Sequence, residues 1–515
     1  PHPSPCRSIL RQLWTFSGLR IYRLHDVDRG LFVRSYYAEF HDRVSPLTLT
    51  IFCVWSPWVN FSKILTSCRG RSNLTHHFLG VGCDHIVCVQ RRGRTRSPGL
   101  PQSIVWASAS KVEPVLNLLP CSDTVSALPG TAWLDEVLHW VPEGVDPWIW
   151  LAPDSDDAPA MVGWGVTRRF TASGHGAVES AWRRMASEGQ DLFAFGSFPF
   201  SRTQEGFLVV PQVLIRRRHL GGPTEVTNHQ RLTRRTWGPE PKKHLTRRPA
   251  IDEATWTASV TAVTQQLDHD GQLEKVVLAG AVDITSEVPI DRSQVASRLA
   301  ARFPGCWTYS HDGLVGATPE LLVDCRDGLF RCRVLAGTRK PAWAHELLDN
   351  PKERHEHELA VASVTGRLAQ AGLTDPVIRG PFRLELPNVV HLATDVTARV
   401  NGSNAARIVD AMHPTAAVCG TPREASYKLI AQIEHLDRGR FAGPVGWMSS
   451  DGSGQWALAL RCGQFSEDSR QVRMFAGAGI LPTSDPAKEW IEVGAKMEAF
   501  GDALPNGQVS GTETT

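Results

Sequence analysis

Carboxylates in pairs are the first feature of chemical interest. Glu353 and Glu356 stand three apart in the charged run KERHEHELAVASV. Glu489 and Glu492 repeat the spacing near the C-terminus, with Lys496 one further turn along. If both runs are helical, each pair shares one helix face. Four acids on two helices could surround a hard cation, because Mg²⁺ takes one or two carboxylates and keeps water or substrate oxygens for the rest. The same spacing is common on solvated helices, so the pairs decide nothing alone. Three glycine-bearing segments add a second element. Leu335-Ala336-Gly337-Thr338, Cys419-Gly420-Thr421-Pro422 and Gly477-Ala478-Gly479 read as turns whose backbone N–H groups could approach an anion closely. Arg461, in the strand-like Trp456–Cys462, could grip a carboxylate at two points.

Several familiar signatures are missing. There is no phosphate loop of the G-x-x-x-x-G-K-[ST] type and no G-x-S-x-G elbow. His355–Leu359 reads HEHEL and lacks the second His of a zinc-protease helix, and Gly477-Ala478-Gly479 lacks the third Gly of a dinucleotide fingerprint. A nucleotide cofactor is not indicated.

The elements that must hold these residues are α/β in texture from about Thr131 onward. Trp148–Leu151, Met161–Trp164, Phe193–Phe198 and the run FLVVPQVLI read as strands, and Ala177–Ser187 as a short helix. Arg216–Arg248 is polar and basic, a surface excursion. Ala254–Asp268 reads as a helix, and Lys275–Ile284 (KVVLAGAVDI) as a buried strand by its β-branched run. After Pro505 the chain is rich in Gly, Ser and Thr and is expected to be a disordered tail, 506–515.

Residues 1–125 differ from the rest. The first 120 residues hold 15 basic against 6 acidic residues, while the whole 515-residue chain is nearly balanced, 55 against 53. Six of the 11 cysteines fall in this first quarter. Its apolar runs settle into no period. It is expected to be either a poorly ordered Arg-rich appendage or sequence upstream of the true start, with the second preferred, and no chemistry is assigned to it. Cys83 and Cys88 with His76, His77 and His85 fit no common zinc spacing. The uncharged stretch Val44–Ser62 is broken by Pro46, Pro57 and Asn60 and reads against a membrane span. The five later cysteines are widely spaced, which suits reduced thiols in a cytoplasmic protein.

In combination the later segments resemble the chorismate-utilising enzyme family, from about Thr131 to Leu504. The resemblance is carried in order by KVVLAG at Lys275, GATPELL at Gly316, VLAGT at Val334, KERHEHEL at Lys352 and NVVHLATDV at Asn388. It continues through HPTAAVCGTP at His413, GPVGW at Gly443, LALRCG at Leu458, FAGAGI at Phe475 and EWIEVGAK at Glu489. The resemblance implies an α/β fold of the α+β kind. Two large, mainly antiparallel sheets pack together with helices outside, and the site lies in the cleft between them. It implies a Mg²⁺ ion held by Glu356 and Glu492, with Glu353 and Glu489 beside them. Lys275 is then the general base for water attack at C2 of the ring, and Glu320 the general acid for the departing C4 hydroxyl. Arg461, Lys496 and Gly477, Ala478 and Gly479 would bind the substrate carboxylates. His391 and Thr338 would orient the ring or the leaving hydroxyl, and Gly337, Gly420 and Thr421 would complete the wall.

Within that family, four positions discriminate. Lys275 argues against the ammonia-using anthranilate synthases, and Ala336 stands where aminodeoxychorismate synthases carry a lysine that attacks the ring. Ala417 and Phe441 are apolar where salicylate synthases tend to have Thr and Tyr. The expectation is therefore a cytoplasmic isochorismate synthase, and Met161–Gly165 and Phe193–Pro211 resemble the menaquinone-pathway type of high-GC Gram-positive bacteria. It would act as a monomer on chorismate, with no nucleic-acid or membrane partner. Salicylate synthase, a siderophore-pathway isochorismate synthase and a non-catalytic chorismate-binding homologue are the alternatives. Two departures from the family pattern are Gly280, where Arg is common, and Val493, where Thr is frequent.

Overall fold

The computed structural model describes residues 123–505 except 156, 228–231, 237–243, 271–272, 340 and 387–388. It also describes the backbone of strands between residues 11 and 91 and at 509–511. The chain divides into two compact units, Pro1–Glu113 and Pro114–Thr515. In the first, the segments Arg11–Phe16, Leu19–Asp28, Leu31–Asp42, Ser45–Trp55, His85–Arg91 and His77–Val81 pair in that order as an antiparallel sheet. Ser45–Trp55 thus takes up most of the uncharged stretch as a strand, and 56–62 lies outside the described residues. The side chains of the Cys83/Cys88 group lie outside them too. None of the candidate site residues belongs to this unit. Among the described residues no helix is long and apolar enough to cross a membrane.

The second unit begins before the boundary expected at 126. Helix Asp123–Ser126 seats Ser126 Oγ against Thr224 Oγ1 at 3.1 Å, and Val125 is fully buried. Its main strands are β1 (Trp148–Leu151), β2 (Ala160–Ala172), β3 (Phe193–Ser197), β4 (Gly206–Arg217), β5 (Lys275–Ser286), β6 (Trp307–His311), β7 (Leu314–Thr318) and β8 (Leu321–Arg326). They continue with β9 (Leu329–Arg339), β10 (Leu373–Glu385), β11 (Val390–Val400), β12 (Pro444–Ser449), β13 (Gly454–Leu458), β14 (Cys462–Phe465) and β15 (Gln471–Ile480).

All neighbours among these are antiparallel, in the order β5–β15–β14–β7–β6–β1–β2–β4–β3–β12–β13–β8–β9–β11–β10. The long pair β2–β4 carries a register shift at Val210/Pro211, where proline has no N–H for the ladder. There the ribbon folds back, so that β5 to β1 form one layer and β3 to β10 a second facing it. Trp150 Nε1 of β1 donates to Gln455 Oε1 of β13 at 2.8 Å, and His311 Nδ1 of β6 meets Gly196 O of β3 at 3.0 Å. Trp133, Trp150, Trp456, Phe195 and Tyr309 are fully buried, and large aromatics of this kind dominate core energetics.

Both acid-bearing runs are helices: α1 (Pro351–Thr365) against β9 and α2 (Pro486–Gly501) against β15. Their starts share one local signature. Asn350 Oδ1 accepts from Glu353 N at 3.1 Å, Asp485 Oδ1 from Ala487 N and Lys488 N at 3.0 and 3.2 Å, and proline follows each cap. A capping side chain of this type is worth about 1 kcal/mol, and proline is preorganised for the first helical position. The tail differs from its expectation at three residues, since Val509–Gly511 pairs in parallel with Leu245–Arg247.

Candidate active site

The two layers are joined where the chain crosses between them. β7 leads into β8 through Pro319 and Glu320, and β13 leads into β14 through Ala459–Arg461. These crossings lie side by side, with Ala317 N donating to Arg461 O at 3.3 Å and Leu458 N to Glu320 O at 3.1 Å. Above them opens a cleft of about 670 Å³ between β5/β15 and β9/β11. Of the residues singled out from sequence, its walls include Glu320, Gly337, Thr338, Glu356, His391, Ala417, Phe441, Arg461, Gly477, Gly479 and Lys496.

Glu320 is 4% exposed. Burial pushes its carboxyl up to about 8, against the opposing charges of Lys275 and Arg461 and a backbone hydrogen bond from Leu335. It therefore carries a proton at neutral pH, as an acid must. Lys275 opens β5 and is fully buried, with Nζ 2.9 Å from Glu356 Oε1. Burial alone would raise the Glu356 carboxyl, but the charge and hydrogen bond of Lys275, with Lys496 and Lys352 behind, hold it below its ordinary value. Gly479 makes this pair feasible: a Cβ there would stand 2.4 Å from Glu356 Oε1 and 2.6 Å from Lys275 Cε.

The tautomer of His391 follows from its partners. Arg461 Nη2 lies 2.7 Å from Nε2, and a guanidinium only donates. Nε2 therefore accepts, and Nδ1–H donates to Thr338 Oγ1 at 3.0 Å. Burial, then the charges of Arg461 and Lys496, keep the ring well below its ordinary range and neutral. The Thr338 hydroxyl keeps its own hydrogen to donate into the cleft. Arg461 itself sits in the turn between β13 and β14, not in a strand, and has the left-handed φ of 48°.

Each of the four glutamates is answered by a donor. Glu353 Oε2 accepts from Thr338 N at 2.8 Å, and Glu489 Oε1 from Lys352 Nζ and Ser484 Oγ, both at 2.8 Å. Glu492 pairs with Lys496 at 2.5 Å, and Lys496 Nζ also donates to Gly477 O at 3.0 Å. Burial raises the Glu353 carboxyl, helped by the charges of Glu356 and Glu492. Burial and then Glu492 raise that of Glu489. Glu353 is thus repelled by Glu356 and Glu492, and Glu489 by Glu492.

The glycine segments differ from the turns read in the sequence. Gly477–Gly479 lies inside β15, where Gly477 and Gly479 face the cleft and Ala478 is buried on the other face. A missing side chain makes space there, and strand pairing already uses the backbone. Gly337, at φ 80°, forms a bulge in β9 against β11, and the Thr338 N–H behind it is taken by Glu353. Gly420 and Thr421 pair with Val276 and Lys275 and fix the start of β5. A Cβ on Gly420 would meet Lys275 O at 2.1 Å.

Three residues escaped the sequence reading. His357 is buried, with Nδ1 3.1 Å from Ala336 O and Nε2 2.7 Å from Thr394 Oγ1, so it pins α1 to β9 and β11. Its place one residue after Glu356 was the available signal. Lys352 links α1 to α2 through Glu489. Arg438, in the cleft wall, lies in a loop where an arginine reads as surface. The two departures from the family pattern touch each other, since a Cβ on Gly280 would lie 3.0 Å from Val493 Cγ1.

A two-layer antiparallel fold with a buried lysine, a protonated glutamate and two acid-bearing helices around one cleft defines a class, enzymes that bind a small anionic ring. The model of the family described as "Chorismate binding enzyme" matches residues 200–505, and the chain belongs to that family. It is 34% identical over 322 residues to isochorismate synthase EntC of Escherichia coli K12, covering 59% of this chain and 79% of the relative. It is 33% identical over 331 residues to the putative isochorismate synthase MenF of Mycobacterium tuberculosis H37Rv, covering 60% and 85%. The solved structure of MenF, the menaquinone-specific isochorismate synthase of Escherichia coli, superposes with a TM-score of 0.62 at 27% identity, over 71% of this chain and 90% of that one.

Proposed function

We propose that this protein is an isochorismate synthase, converting chorismate to isochorismate by adding water at C2 and releasing the C4 hydroxyl as water. The observation that supports the reading is a buried, protonated Glu320 in the cleft wall, with Lys275 buried and ion-paired to the cleft residue Glu356. In this reading Lys275 acts in its neutral amine form, its ammonium proton released beforehand, and takes the proton of the attacking water. Glu320 delivers its own proton to the departing hydroxyl. Arg461 and Lys496 bind the substrate carboxylates, and the neutral His391, through Thr338, presents a hydroxyl donor to the ring. Ala336 offers no amine for covalent attack, so water is the nucleophile.

The donor set fits a Mg²⁺ ion. Among the described residues no three His, Cys, Asp or Glu side chains form a ready-made cage, but Mg²⁺ needs only one or two carboxylates alongside water and substrate. Burial, and after it repulsion from Glu356 and Glu492, raises Glu353 and Glu489, and a dication relieves that repulsion. Glu356 and Glu492 would hold it, with Glu353 and Glu489 beside them. When bound it supplies positive charge to the ring carboxylate.

Of the possible destinations for the product, menaquinone synthesis is supported by the likeness to the two MenF proteins. The chain is read as a monomer in the cytoplasm. Incubating the purified protein with chorismate and Mg²⁺, and separating the products by chromatography, tests the function. Isochorismate as main product is the expected result; salicylate with pyruvate, or no turnover, sinks the reading.

A further inference from the structure

One edge of β5 pairs with β15 along almost its whole length. The other edge has strand partners only at its ends, Thr421 and Gly420 beside Lys275 and Val276, and Leu245–Pro249 beside Ser286–Val282. Between these, loop and side-chain atoms take the groups a neighbouring strand would engage. Val277 N donates to Cys419 O at 2.8 Å, and Ala250 N donates to Ala281 O at 2.9 Å. Val277 O accepts from Arg438 Nη2 at 2.7 Å, and Ala279 N donates to Glu434 Oε2 at 2.8 Å.

Arg438 and Glu434 meet in a two-point ion pair, Nε to Oε1 at 2.6 Å and Nη2 to Oε2 at 2.7 Å. Both side chains are only 4% exposed. Arg438 Nη1 donates to Val418 O at 2.8 Å, and the guanidinium lies over the Phe200 ring, 4.2 Å from its centroid. Four of its five N–H groups are thereby bound. It borders the cleft with four of its N–H groups already committed, so it acts on the reaction through what it holds.

What it holds is informative. Val277 shares a strand face with Lys275, two residues earlier, because side chains alternate. Val418 follows Ala417, and both line the cleft. We propose that the Arg438–Glu434 pair is a positioning device. It stands in for the missing strand beside β5 and fixes the base Lys275 relative to the Ala417 wall, on which the choice between stopping at isochorismate and eliminating pyruvate depends. The proposal rests on the chorismate reading above. A lysine at 438 keeps the charge but cannot fork to Glu434 and two carbonyls at once. A misplacement of about 1 Å costs on the order of 10²-fold in rate.

The test uses the full chain with Arg438→Lys, Arg438→Met and Glu434→Gln. It measures kcat, KM for chorismate and the ratio of isochorismate to salicylate plus pyruvate, with circular dichroism as the check on folding. In Arg438→Met and Glu434→Gln, kcat should fall at least about tenfold and the salicylate fraction should rise. Arg438→Lys should lie between them and the wild type. Folded variants with unchanged kcat and product ratio overturn the proposal. So does a loss of kcat that only follows the folded fraction, with KM and product ratio constant, since a purely structural pair behaves that way. If Arg438→Met is insoluble, the near-isosteric Glu434→Gln decides. A wild type that leaves chorismate untouched sinks the function and this proposal together, whereas an active wild type with indifferent variants sinks this proposal alone.

Discussion

Replacing Glu320 by Gln separates acid catalysis from architecture. Folded Glu320 keeps its proton up to about pH 8, whereas an ordinary glutamic acid releases it near 4.5. At pH 7 the side chain is neutral, so glutamine is a near-isostere that buries no new charge, and the variant should fold. It cannot deliver a proton, and a positioned general acid is worth about 10²–10⁴-fold, so turnover should drop by at least that range's lower end. In the wild type, kcat/KM should fall about tenfold per pH unit above 8 as the acid form is titrated away. That falling limb should be missing from whatever activity the variant retains.

Stability supplies an independent check with a definite sign. The folded protein holds a proton on Glu320 between about pH 4.5 and 8 that the unfolded chain has already lost. Its contribution is therefore complete below 4.5 and disappears as the pH climbs through 8. Across those three and a half pH units the linkage is on the order of 5 kcal/mol. Chemical denaturation at pH 4.5, 6.5 and 8.5 should show the wild type losing stability relative to Glu320→Gln by an amount of that order. A flat difference, or wild-type turnover in the variant, refutes the reasoning.

Lys275→Ala should abolish isochorismate formation while circular dichroism stays unchanged; retained activity in a chromatographic assay removes it as the base. Stripping divalent cations with a chelator should stop turnover, and added Mg²⁺ should restore it. Persistence of full activity in excess chelator would rule out the role given to the four glutamates. A chain beginning at Pro114, where the second unit starts, should keep the catalytic constants of the full one, since every candidate site residue lies beyond that point. Its insolubility or inactivity would show that the first 113 residues contribute.

The sequence made the site legible where chemistry and spacing coincide. The two E-x-x-E runs are the helices they suggested, because cap, proline and acid recur together at Asn350–Glu353 and Asp485–Glu489. Lys275 was readable as the opening of a buried strand, but not its ion pair with Glu356, which depends on the hole left by Gly479 in a distant strand. Nothing local in the sequence buries Glu320 or bends the chain at Arg461; only the crossing of the two layers buries the first and partly covers the second. Gly477–Gly479 looked like a turn because local propensity cannot see a strand whose glycines are demanded by neighbours across the cleft. Arg438 was invisible for the same reason, its partners being the Val277 and Val418 carbonyls and the Glu434 carboxylate.

The paired crossings at Glu320 and Arg461 tie the proton donor and the arginine that holds His391 to one joint of the two layers. The four glutamates ride on helices packed against one strand of each layer, α1 on β9 and α2 on β15. Any breathing of the layers about the joint would change the separation of those helices more than that of Glu320 and Arg461. The grip of the carboxylates on a cation and its substrate could then loosen for product release without disturbing the acid.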